Sequence, residues 1–402
     1  VGPDAVAPGA EVVDARDLTV LPGMVAAHEH LPWEDNRIPR LWLSFGVTSI
    51  RSPGSGHYAA VEAKEAQESG NRLGPRVFCA GEIVDGNRVY YGSNRSTTNA
   101  AELRRELERV DELGHDMVKT YVRLPYALQR DAIGQAHAAG VPVSSHYLYG
   151  PAALGADAVE HTGATSRYGH RHKESHTGRA YSDVIDTLAR SGMSITPTLG
   201  LASAAAPAVY HFAAWALEDP RLAALMPEVM YDELRAEIEE AVGRYPEVEL
   251  RYNARQVATA RRALAAGAHV AVGTDSPLAP HAISYHLNLD TMVRNGIDHH
   301  DALRAATVGG ARVLGMSDHL GTVAPGKLAD LAFVQGDPLA DINALTRMRK
   351  VMLDGVLHEV DDLIANPRER APTRPAHTVR TLPRQDGFWW HDQEYTSGHA
   401  CC

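Results

Sequence analysis

The sequence has few cysteines, and their positions exclude two kinds of site. Of the 402 residues only 3 are cysteine: Cys79 lies in an apolar run, and Cys401 and Cys402 are neighbours. Neighbouring cysteines rarely pair with each other, and no ligand-type spacing relates them to Cys79. A disulfide framework and a thiolate metal site are therefore not expected.

The sequence also lacks a positive net charge and any long apolar segment. The formal net charge is -11 at pH 7, and this disfavours nucleic acid as a partner because neutralising phosphates requires a basic surface. No run of about 18 or more apolar residues is present, so no membrane span is expected. The content of 44% hydrophobic and 22% charged residues is typical of a soluble globular enzyme and not of a disordered or fibrous chain.

The N-terminal segment has neither an initiator Met nor a signal-peptide pattern. Its sequence, "VGPDAVAPGAEVVDARDLTVLPG", begins in mid-pattern, which predicts that upstream residues exist in the parent polypeptide. Localisation therefore cannot be read from this end, and a cytoplasmic location is only the general expectation.

Short β-rich apolar runs alternate with Ala/Glu/Arg-rich helical stretches from Met24 to Asp275. Eight runs are recognised: 24–30, 47–51, 76–81, 116–122, 141–146, 157–161, 193–199 and 269–275. Eight parallel strand–helix units predict an α/β fold with a (β/α)8 TIM barrel. The alternative is an open doubly wound sheet, which would be expected to carry a glycine-rich phosphate loop after its first strand, and that loop is missing.

The segment after the predicted barrel has a different pattern, with short strands between Gly, Pro and Asp turns. We expect the catalytic barrel at 23–320 and a small β-sandwich built from both chain ends, with one segment at 1–22 and the other at 321–362. Residues 363–402 form a Pro- and Arg-rich tail that we expect to be extended. Its Trp389-Trp390 pair is suited to anchor it on the barrel or on a neighbouring subunit of a homo-oligomer.

Several of the predicted strands end on residues that can bind a metal ion, and barrel enzymes carry their chemistry at this end. His28 and His30 are two residues apart in "LPGMVAAHEHL" and therefore share one face of the first strand. The full set is His28, His30, Lys119, His146, His161 and Asp275. Each histidine alone could be a loop residue, and Asp275 could cap a turn. Their common position at the strand ends predicts a metal site.

Lys119 is the hardest of these residues to explain as a structural one. It lies between apolar neighbours in "MVKTYV", where an unpaired ammonium group would be costly to bury. A lysine that reacts with CO2 becomes a carbamate, whose two oxygens can bridge two metal ions. Lys119 is therefore a candidate for carboxylation.

The chain resembles the amidohydrolase superfamily, metal-dependent hydrolases on a (β/α)8 barrel, over nearly all of residues 1–360. The motifs that carry the resemblance are "LPGMVAAHEHL", "VGTDS" and "GTVAPGKLADLAFVQGDPLADI". "HYLYG" with "ADAVEHTG" is similar to the imidazolonepropionase and Xaa-Pro dipeptidase-like branch. "RLGPRVFCAGEIV" and "DVIDTLARSGMSITPTL" resemble members that follow a β-propeller.

The resemblance implies a binuclear centre. His28, His30 and Asp275 would bind one divalent ion, His146 and His161 would bind a second, and carboxylated Lys119 would bridge them. This donor set suits Zn²⁺, and Mn²⁺, Co²⁺ or Fe²⁺ would also fit. The implied reaction is hydrolysis of an amide or peptide-like C–N bond by a metal-bridged hydroxide, with Asp275 passing the proton to the leaving amine.

The candidate substrate contacts are less well defined. The dipeptidase-like members often carry a histidine after strand 3, which "CAGEIVDGNRVYYG" lacks. His57 is a candidate substitute, although an exposed loop histidine is the favoured interpretation. Tyr121 shares a face with Lys119 and would either assist the oxyanion or pack. Arg123 and Arg167, the latter in the His-rich loop 162–182, are candidates for binding a substrate carboxylate.

Two other functions remain open at this stage. The same metal site could act on a lactone or a carbamate, or in a lyase or isomerase reaction. Barrels that have lost their metal ligands can also serve as non-catalytic scaffolds, although an intact six-residue set argues against this.

Overall fold

The computed structural model describes residues 12–31, 35–163, 172–175, 177–199 and 206–366. All eight predicted strand runs contain a strand. Within the described residues the strands are β1 (Leu18–Pro22), β2 (Met24–Ala26), β3 (Val47–Ser52), β4 (Arg76–Cys79), β5 (Val84–Asp85), β6 (Arg95–Ser96), β7 (Val118–Thr120), β8 (Val143–Ser145), β9 (Ala158–Glu160), β10 (Ser194–Thr196), β11 (His269–Val270), β12 (Leu331–Gln335), β13 (Met348–Leu353) and β14 (Val356–Glu359).

The strands between residues 24 and 270 form two parallel sheets. One sheet has the order β2-β3-β4, and the other has the order β11-β10-β9-β8-β7-β5-β6. Backbone hydrogen bonds also connect residues beside the two sheets, from Ala27 N to Val272 O (2.7 Å) and from Asp116 N to Cys79 O (2.8 Å). The fold is therefore α/β with parallel strands. The strands β5 and β6, which the sequence patterns did not predict, add an edge beside β7.

Helices follow most of the parallel strands. In the described residues the α-helices are α1 (Arg37–Ser44), α2 (His57–Glu68), α3 (Ala100–Glu112), α4 (Tyr126–Ala138), α5 (Tyr149–Ala153), α6 (Ser182–Ser191), α7 (Ala206–Tyr210), α8 (Pro220–Leu225), α9 (Glu228–Gly243), α10 (Glu247–Ala265), α11 (Ile283–Arg294), α12 (His299–Arg304), α13 (Gly310–Val313) and α14 (Val360–Ala365). None of them combines the length and the hydropathy that a membrane span requires.

Helix α3 illustrates how local sequence sets an element's limits. The Asn99 side chain accepts from the backbone N–H groups of Ala101 and Glu102, which caps the helix at its start. Gly114, at φ +65°, lies just beyond the C-terminus, where a left-handed residue commonly ends a helix. The apolar side of the helix buries Leu103 and Val110 in the main hydrophobic core, which packs helices against the outer faces of the sheets.

The two ends of the described chain meet in a third sheet, which is antiparallel and has the order β1-β12-β13-β14. Strand β1 pairs with β12 over five residues, from Leu18 opposite Gln335 to Pro22 opposite Leu331. Residues near both chain ends therefore share one sheet. A second sheet facing it, as in a sandwich, is not present among the described residues. The chain from residue 367 onward, and with it the predicted tail, lies outside them.

Candidate metal centre

A pocket of about 330 Å³ opens at the carboxyl ends of the parallel strands. The six candidate ligands predicted from the sequence all line it. Its other lining residues are Pro53, Gly54, Ser55, Gly56, Ile83, Tyr91, Ser93, Tyr121, Pro277 and Leu278. Distant segments of the chain thus meet at one cavity, as expected for this type of fold.

Three histidines direct the same ring nitrogen at the carboxylate of Asp275. The Nε2 atoms of His30 and His28 lie 3.0 and 3.3 Å from its Oδ1, and Nε2 of His161 lies 3.6 Å from its Oδ2. Ligand atoms of His28, His161 and Asp275 all lie within 4.8 Å of one another. A tetrahedral ion with bonds of about 2.0–2.1 Å holds its ligand atoms about 3.3 Å apart. The spacing of His28, His161 and Asp275 therefore suits metal ligands, and His30 approaches the same carboxylate.

The other ring nitrogens of these histidines are already hydrogen-bonded. His28 Nδ1 donates to Glu160 Oε2 (2.6 Å), and His30 Nδ1 donates to the carbonyl of Gly54 (2.7 Å). His161 Nδ1 donates to Thr198 Oγ1 (2.5 Å), whose own hydroxyl donates to a backbone carbonyl. In the neutral rings this pattern leaves the lone pair on each Nε2, as in metal-binding histidines. Three lone pairs and a carboxylate then face one another, and a cation at their centre would stabilise that arrangement.

Asp275 itself is ionised in this setting. Burial would raise the pKa of its carboxyl group, but the neighbouring His28 and His161 hold that pKa well below its usual range. The backbone of Asp275 lies at φ +62°, and that of His161 at φ +55°. Non-glycine residues in this region are strained, and such strain is concentrated at functional sites. Both side chains line the pocket.

Lys119 lies on a buried polar cluster at the floor of the pocket. Its Nζ is 3.4 Å from Glu160 Oε1 and 3.5 Å from Ser144 Oγ. Glu160 also accepts hydrogen bonds from Arg51 and Ser144. Burial lowers the pKa of Lys119 to about 8 despite the attraction of Glu160. A fraction of the neutral amine, the form that reacts with CO2, is therefore accessible near neutral pH.

Sequence patterns did not single out Glu160 and Arg51, although both are fully buried. The positive charges of Arg51 and Lys119, together with His28, hold the pKa of Glu160 well below its usual range in spite of its burial. Both residues could have been found by the pattern that pointed to Lys119, which is a charged residue in an apolar run. Arg51 has this pattern in "VTSIR", and Glu160 has it in "DAVEH".

His146 lies beside this cluster, and its Nδ1 is a buried nitrogen without a hydrogen-bond partner in the described structure. Burial, with the charge of Lys119 nearby, holds the pKa of His146 well below its usual range, so its imidazole is neutral. The ring packs 4.7 Å from that of His161 and 4.2 Å from that of Tyr121. A neutral imidazole with an unpaired nitrogen suits a metal ligand.

One wall of the pocket is aromatic and is held by a fixed loop. Tyr91 packs its ring 5.8 Å from that of Tyr121. Asp85 anchors the loop by accepting from the backbone N–H groups of Tyr90 and Arg123, each at 2.9 Å. The Arg123 guanidinium donates to the carbonyls of residues 88 and 89. Arg123 thus stabilises the loop that carries Tyr91 and is not among the residues lining the pocket, so its position does not favour the predicted contact with substrate.

His57 is not the exposed loop histidine that the sequence favoured, because it is 3% exposed and begins helix α2. It does not line the pocket either, so its position gives no support to a substrate contact. Its Nδ1 lies 2.9 Å from Nε2 of His115, and its Nε2 lies 3.4 Å from Oε2 of Glu106. The local sequence "SPGSGHY" suggested a loop, but the turn ends at Gly56 and the helix buries His57.

The His-rich loop is only partly described. Arg167 lies outside the described residues, as do His170, Arg171 and His176. His172 accepts from the backbone N–H of Leu148 (3.2 Å). Lys173 is buried, and its ammonium donates to the backbone carbonyls of His146 (3.3 Å) and Glu160 (2.5 Å). This lysine, which the sequence did not single out, therefore supports two strand ends at the floor of the pocket.

The chain belongs to the amidohydrolase family, whose family model matches residues 40–357. As a member of this family it is a hydrolase that acts on carbon–nitrogen bonds, and members of the family bind divalent metal ions. A comparison with curated proteins finds no match.

Solved structures with a similar fold include other hydrolases. A bottromycin amidohydrolase is 23% identical with a TM-score of 0.66, and the match covers 88% of this chain and 80% of that one. A Xaa-Pro dipeptidase with methionine bound in its active site is 22% identical with a TM-score of 0.61 and coverages of 86% and 87%. A molinate hydrolase is 19% identical with a TM-score of 0.63 and coverages of 94% and 89%. At these identities the likeness defines the fold.

Proposed function

We propose that the chain is a binuclear metal-dependent hydrolase that cleaves an amide or peptide-like C–N bond of a small molecule, with Asp275 as the proton shuttle. The observation that carries this proposal is the convergence of three histidine Nε2 atoms on the Asp275 carboxylate, 3.0 to 3.6 Å away. Their Nδ1 atoms are bound elsewhere. With neutral imidazole rings this arrangement sets three Nε2 lone pairs against a carboxylate, which a cation between them would stabilise.

The proposed donor set would serve two ions. His28, His30 and Asp275 would hold one, and His146 and His161 would hold the other, with a carbamate on Lys119 between them. The unpaired Nδ1 of His146 and the lowered pKa of Lys119 support this assignment. Nitrogen and oxygen donors without thiolate suit Zn²⁺. Bound ions of this kind supply a nucleophilic water at neutral pH and polarise a carbonyl.

The side chains then have separate tasks. Asp275, ionised and 5% exposed, would accept a proton from the attacking water and return it to the leaving amine. Glu160 would hold His28 through its Nδ1 and thereby fix the direction of Nε2. Tyr121, on the pocket wall, would lie next to the developing oxyanion.

The walls of the pocket suit an apolar or flat substituent on the substrate. Tyr91 and Leu278 are respectively 45% and 68% exposed at its opening, and Ile83 and Pro277 also line it. Burying such surfaces against a ligand is favourable because it removes apolar area from water. The proteins with a similar fold include enzymes named for peptide-like substrates, which supports testing N-acyl amino acids, dipeptides and cyclic amides first.

We also propose the finer architecture expected from the sequence. The two parallel sheets would belong to one closed (β/α)8 barrel spanning residues 23–320, and the hydrogen bonds of Ala27 and Asp116 support that closure. The antiparallel sheet from residues 1–22 and 321–362 would be one layer of a sandwich. The tail 363–402 would follow it.

The test combines metal analysis with an Asp275→Asn variant. Asparagine tolerates the left-handed backbone of this position, so the variant keeps the geometry while losing the proton-accepting group. We expect the wild-type protein to hold close to two equivalents of metal and to hydrolyse at least one of the amides named above. Turnover by Asp275→Asn should fall by about 10² to 10⁴-fold.

A matched control is Asp330→Asn, which changes a buried aspartate that pairs with Arg76 (2.8 Å) and does not line the pocket. That variant should keep its turnover while losing stability. Full turnover by Asp275→Asn would contradict the shuttle, and a wild-type protein without metal would contradict the binuclear centre.

A further inference from the structure

We propose that Glu29 is a positioning residue that sets the orientation of Asp275 from behind the metal centre. The inference rests on the proposed function, because it concerns how one of its ligands is held. Glu29 stands between His28 and His30, just beyond strand β2, which ends at Ala26. It is 1% exposed and, unlike its two neighbours, does not line the pocket.

The hydrogen bonds that the Glu29 carboxyl group accepts in the described structure come from the two neighbours of Asp275. Its Oε1 accepts from the backbone N–H of Thr274 (2.9 Å), and its Oε2 accepts from the backbone N–H of Ser276 (3.1 Å). The hydroxyl of Thr274 bonds to the same Oε2 and lies 2.7 Å from the hydroxyl of Ser276. One carboxyl group thus binds both residues that flank the proposed proton shuttle.

Backbone bonds join the same two segments on the side of the ligands. Asp275 N donates to the carbonyl of His28 (2.9 Å), and His30 N donates to the carbonyl of Ser276 (2.7 Å). Gly273 allows this approach, because a Cβ at that position would lie 2.7 Å from the backbone nitrogen of His28. Asp275 therefore lies in a turn that is bonded on both sides to the segment carrying two of the proposed ligands.

The turn that Glu29 holds is the strained one. Asp275 adopts φ +62°, a conformation that persists only where surrounding contacts impose it. In the described part of the chain Glu29 forms no salt bridge, so its burial is not explained by a paired charge. Its contacts instead fix a turn whose central side chain lies 3.0 Å from His30 Nε2 and 3.3 Å from His28 Nε2.

The test uses graded variants and measures metal binding as well as activity. Glu29→Gln keeps the shape but replaces an acceptor by a donor opposite the Ser276 N–H. Thr274→Val removes one hydroxyl bond to Glu29, and Thr274→Ser keeps it. Affinity for Zn²⁺ is measured by competition with a chromophoric chelator, and the Co²⁺-substituted protein is compared by its visible absorption.

We expect Glu29→Gln to weaken binding of one of two ions and to lower kcat, each by about 10 to 100-fold, the range seen when a group behind a metal ligand is changed. KM should stay within about twofold, because Glu29 does not line the pocket. Thr274→Val should show a smaller loss in the same direction, and Thr274→Ser should restore it. The Co²⁺ spectrum should change in Glu29→Gln and in Thr274→Val.

Glu106→Gln is the matched control, a buried glutamate in the His57 cluster that should lower stability and leave metal affinity and the Co²⁺ spectrum unchanged. If Glu29→Gln does not fold, the Thr274 pair decides the matter. Wild-type metal affinity and kcat in folded Glu29→Gln, or equal behaviour of Thr274→Val and Thr274→Ser, would overturn the positioning role alone. Failure of the wild-type protein to bind metal would overturn the proposed function and this inference with it.

Discussion

The structure contains two clusters of histidine and carboxylate side chains that offer metal-binding atoms at short range. One is the pocket group of His28, His161 and Asp275, and the other is the group of His57, Glu82 and Glu106. In both, the ligand atoms lie within 4.8 Å of one another. Residue type and distance therefore do not distinguish them, and the difference lies in the hydrogen bonds and charges around each.

In the His57 cluster each donor meets an acceptor. The thiol of Cys79 lies 3.5 Å from Nδ1 of His115, and Nε2 of His115 lies 2.9 Å from Nδ1 of His57. Nε2 of His57 then faces Glu106 at 3.4 Å. If the Cys79 thiol donates to Nδ1 of His115, then Nε2–H of His115 donates to Nδ1 of His57. Nε2–H of His57 in turn donates to Glu106. Arg95 pairs with Glu82 and Glu106, and Arg109 also pairs with Glu106, so the carboxylate charges are balanced without an ion.

The pocket group shows the opposite arrangement. The Nδ1 donors of its histidines point outward to fixed acceptors, and the Nε2 atoms turn inward on a carboxylate. No arginine pairs with Asp275 among the described residues. A metal centre is therefore recognised by the direction of its lone pairs and by missing countercharge, and only secondarily by its composition.

Of the variants that test this difference between the clusters, Lys119→Ala should show the largest effect on metal content and turnover. In Lys119→Ala the proposed bridging group is lost, so metal content should fall below two equivalents and turnover should fall by about 100-fold or more. Short carboxylic acids added to the variant should restore some of the activity by replacing the carbamate. Metal content is measured by elemental analysis after gel filtration.

Lys64→Met provides the control for this experiment, because Lys64 is another buried lysine, paired with Asp116 at 2.8 Å. It should keep both equivalents of metal. Normal metal content and an unchanged rate in Lys119→Ala would remove the carbamate from the proposed centre.

An intermediate effect is expected when the hydrogen-bonded chain of the second cluster is broken. In His57→Ala, His115 and Glu106 lose a buried partner, and leaving such groups unsatisfied costs about 1–3 kcal/mol of the free energy of unfolding. Chemical denaturation should detect that loss, while metal stoichiometry and kcat stay at wild-type values. Loss of a metal equivalent in His57→Ala would show that the two clusters are alike.

The smallest effect is expected from removing the countercharge of the second cluster. In Arg95→Gln, Glu82 and Glu106 each lose their ion pair with Arg95. The negative charge beside His57 is then less well balanced. We expect this variant to acquire weak binding of an additional Zn²⁺ ion that the wild-type protein lacks, seen by isothermal titration calorimetry at excess metal. Arg130→Gln, at an exposed pair with Asp131, is the control and should bind as the wild type does. No additional binding in Arg95→Gln would mean that charge balance is not what keeps the second cluster free of metal.

Much of the pocket could be predicted from the sequence because it depends on a simple rule. Each β-rich run contains a parallel strand, so residues such as His146 and Asp275 could be assigned to one end of the sheets without coordinates. The rule says nothing about partners from other strands. The buried charged residues depend on contacts with residues more than 100 positions away. Arg51 bonds to Glu160, and Glu29 bonds to Thr274.

The predictions about loop residues were weaker for a related reason. His57 and Arg123 follow strands, as the ligands do, but a helix start and a set of backbone carbonyls hold them away from the pocket. Local sequence does not indicate whether a residue after a strand turns inward or outward. That choice is made by packing between loops, here by the anchoring of residues 85–94 on Asp85 and Arg123.

The pairing of strand β1 with strand β12 has a consequence for the order in which parts of the chain can fold during synthesis. Val20 stands opposite Phe333, so the antiparallel sheet cannot assemble until the ribosome has released almost the whole of the described chain. Strand β2, which leads directly to His28, follows β1 after a single residue. A nascent chain stalled before residue 331 could therefore hold its first histidine pair through β3 and residues 272–276, but the preceding strand β1 would still lack its partner.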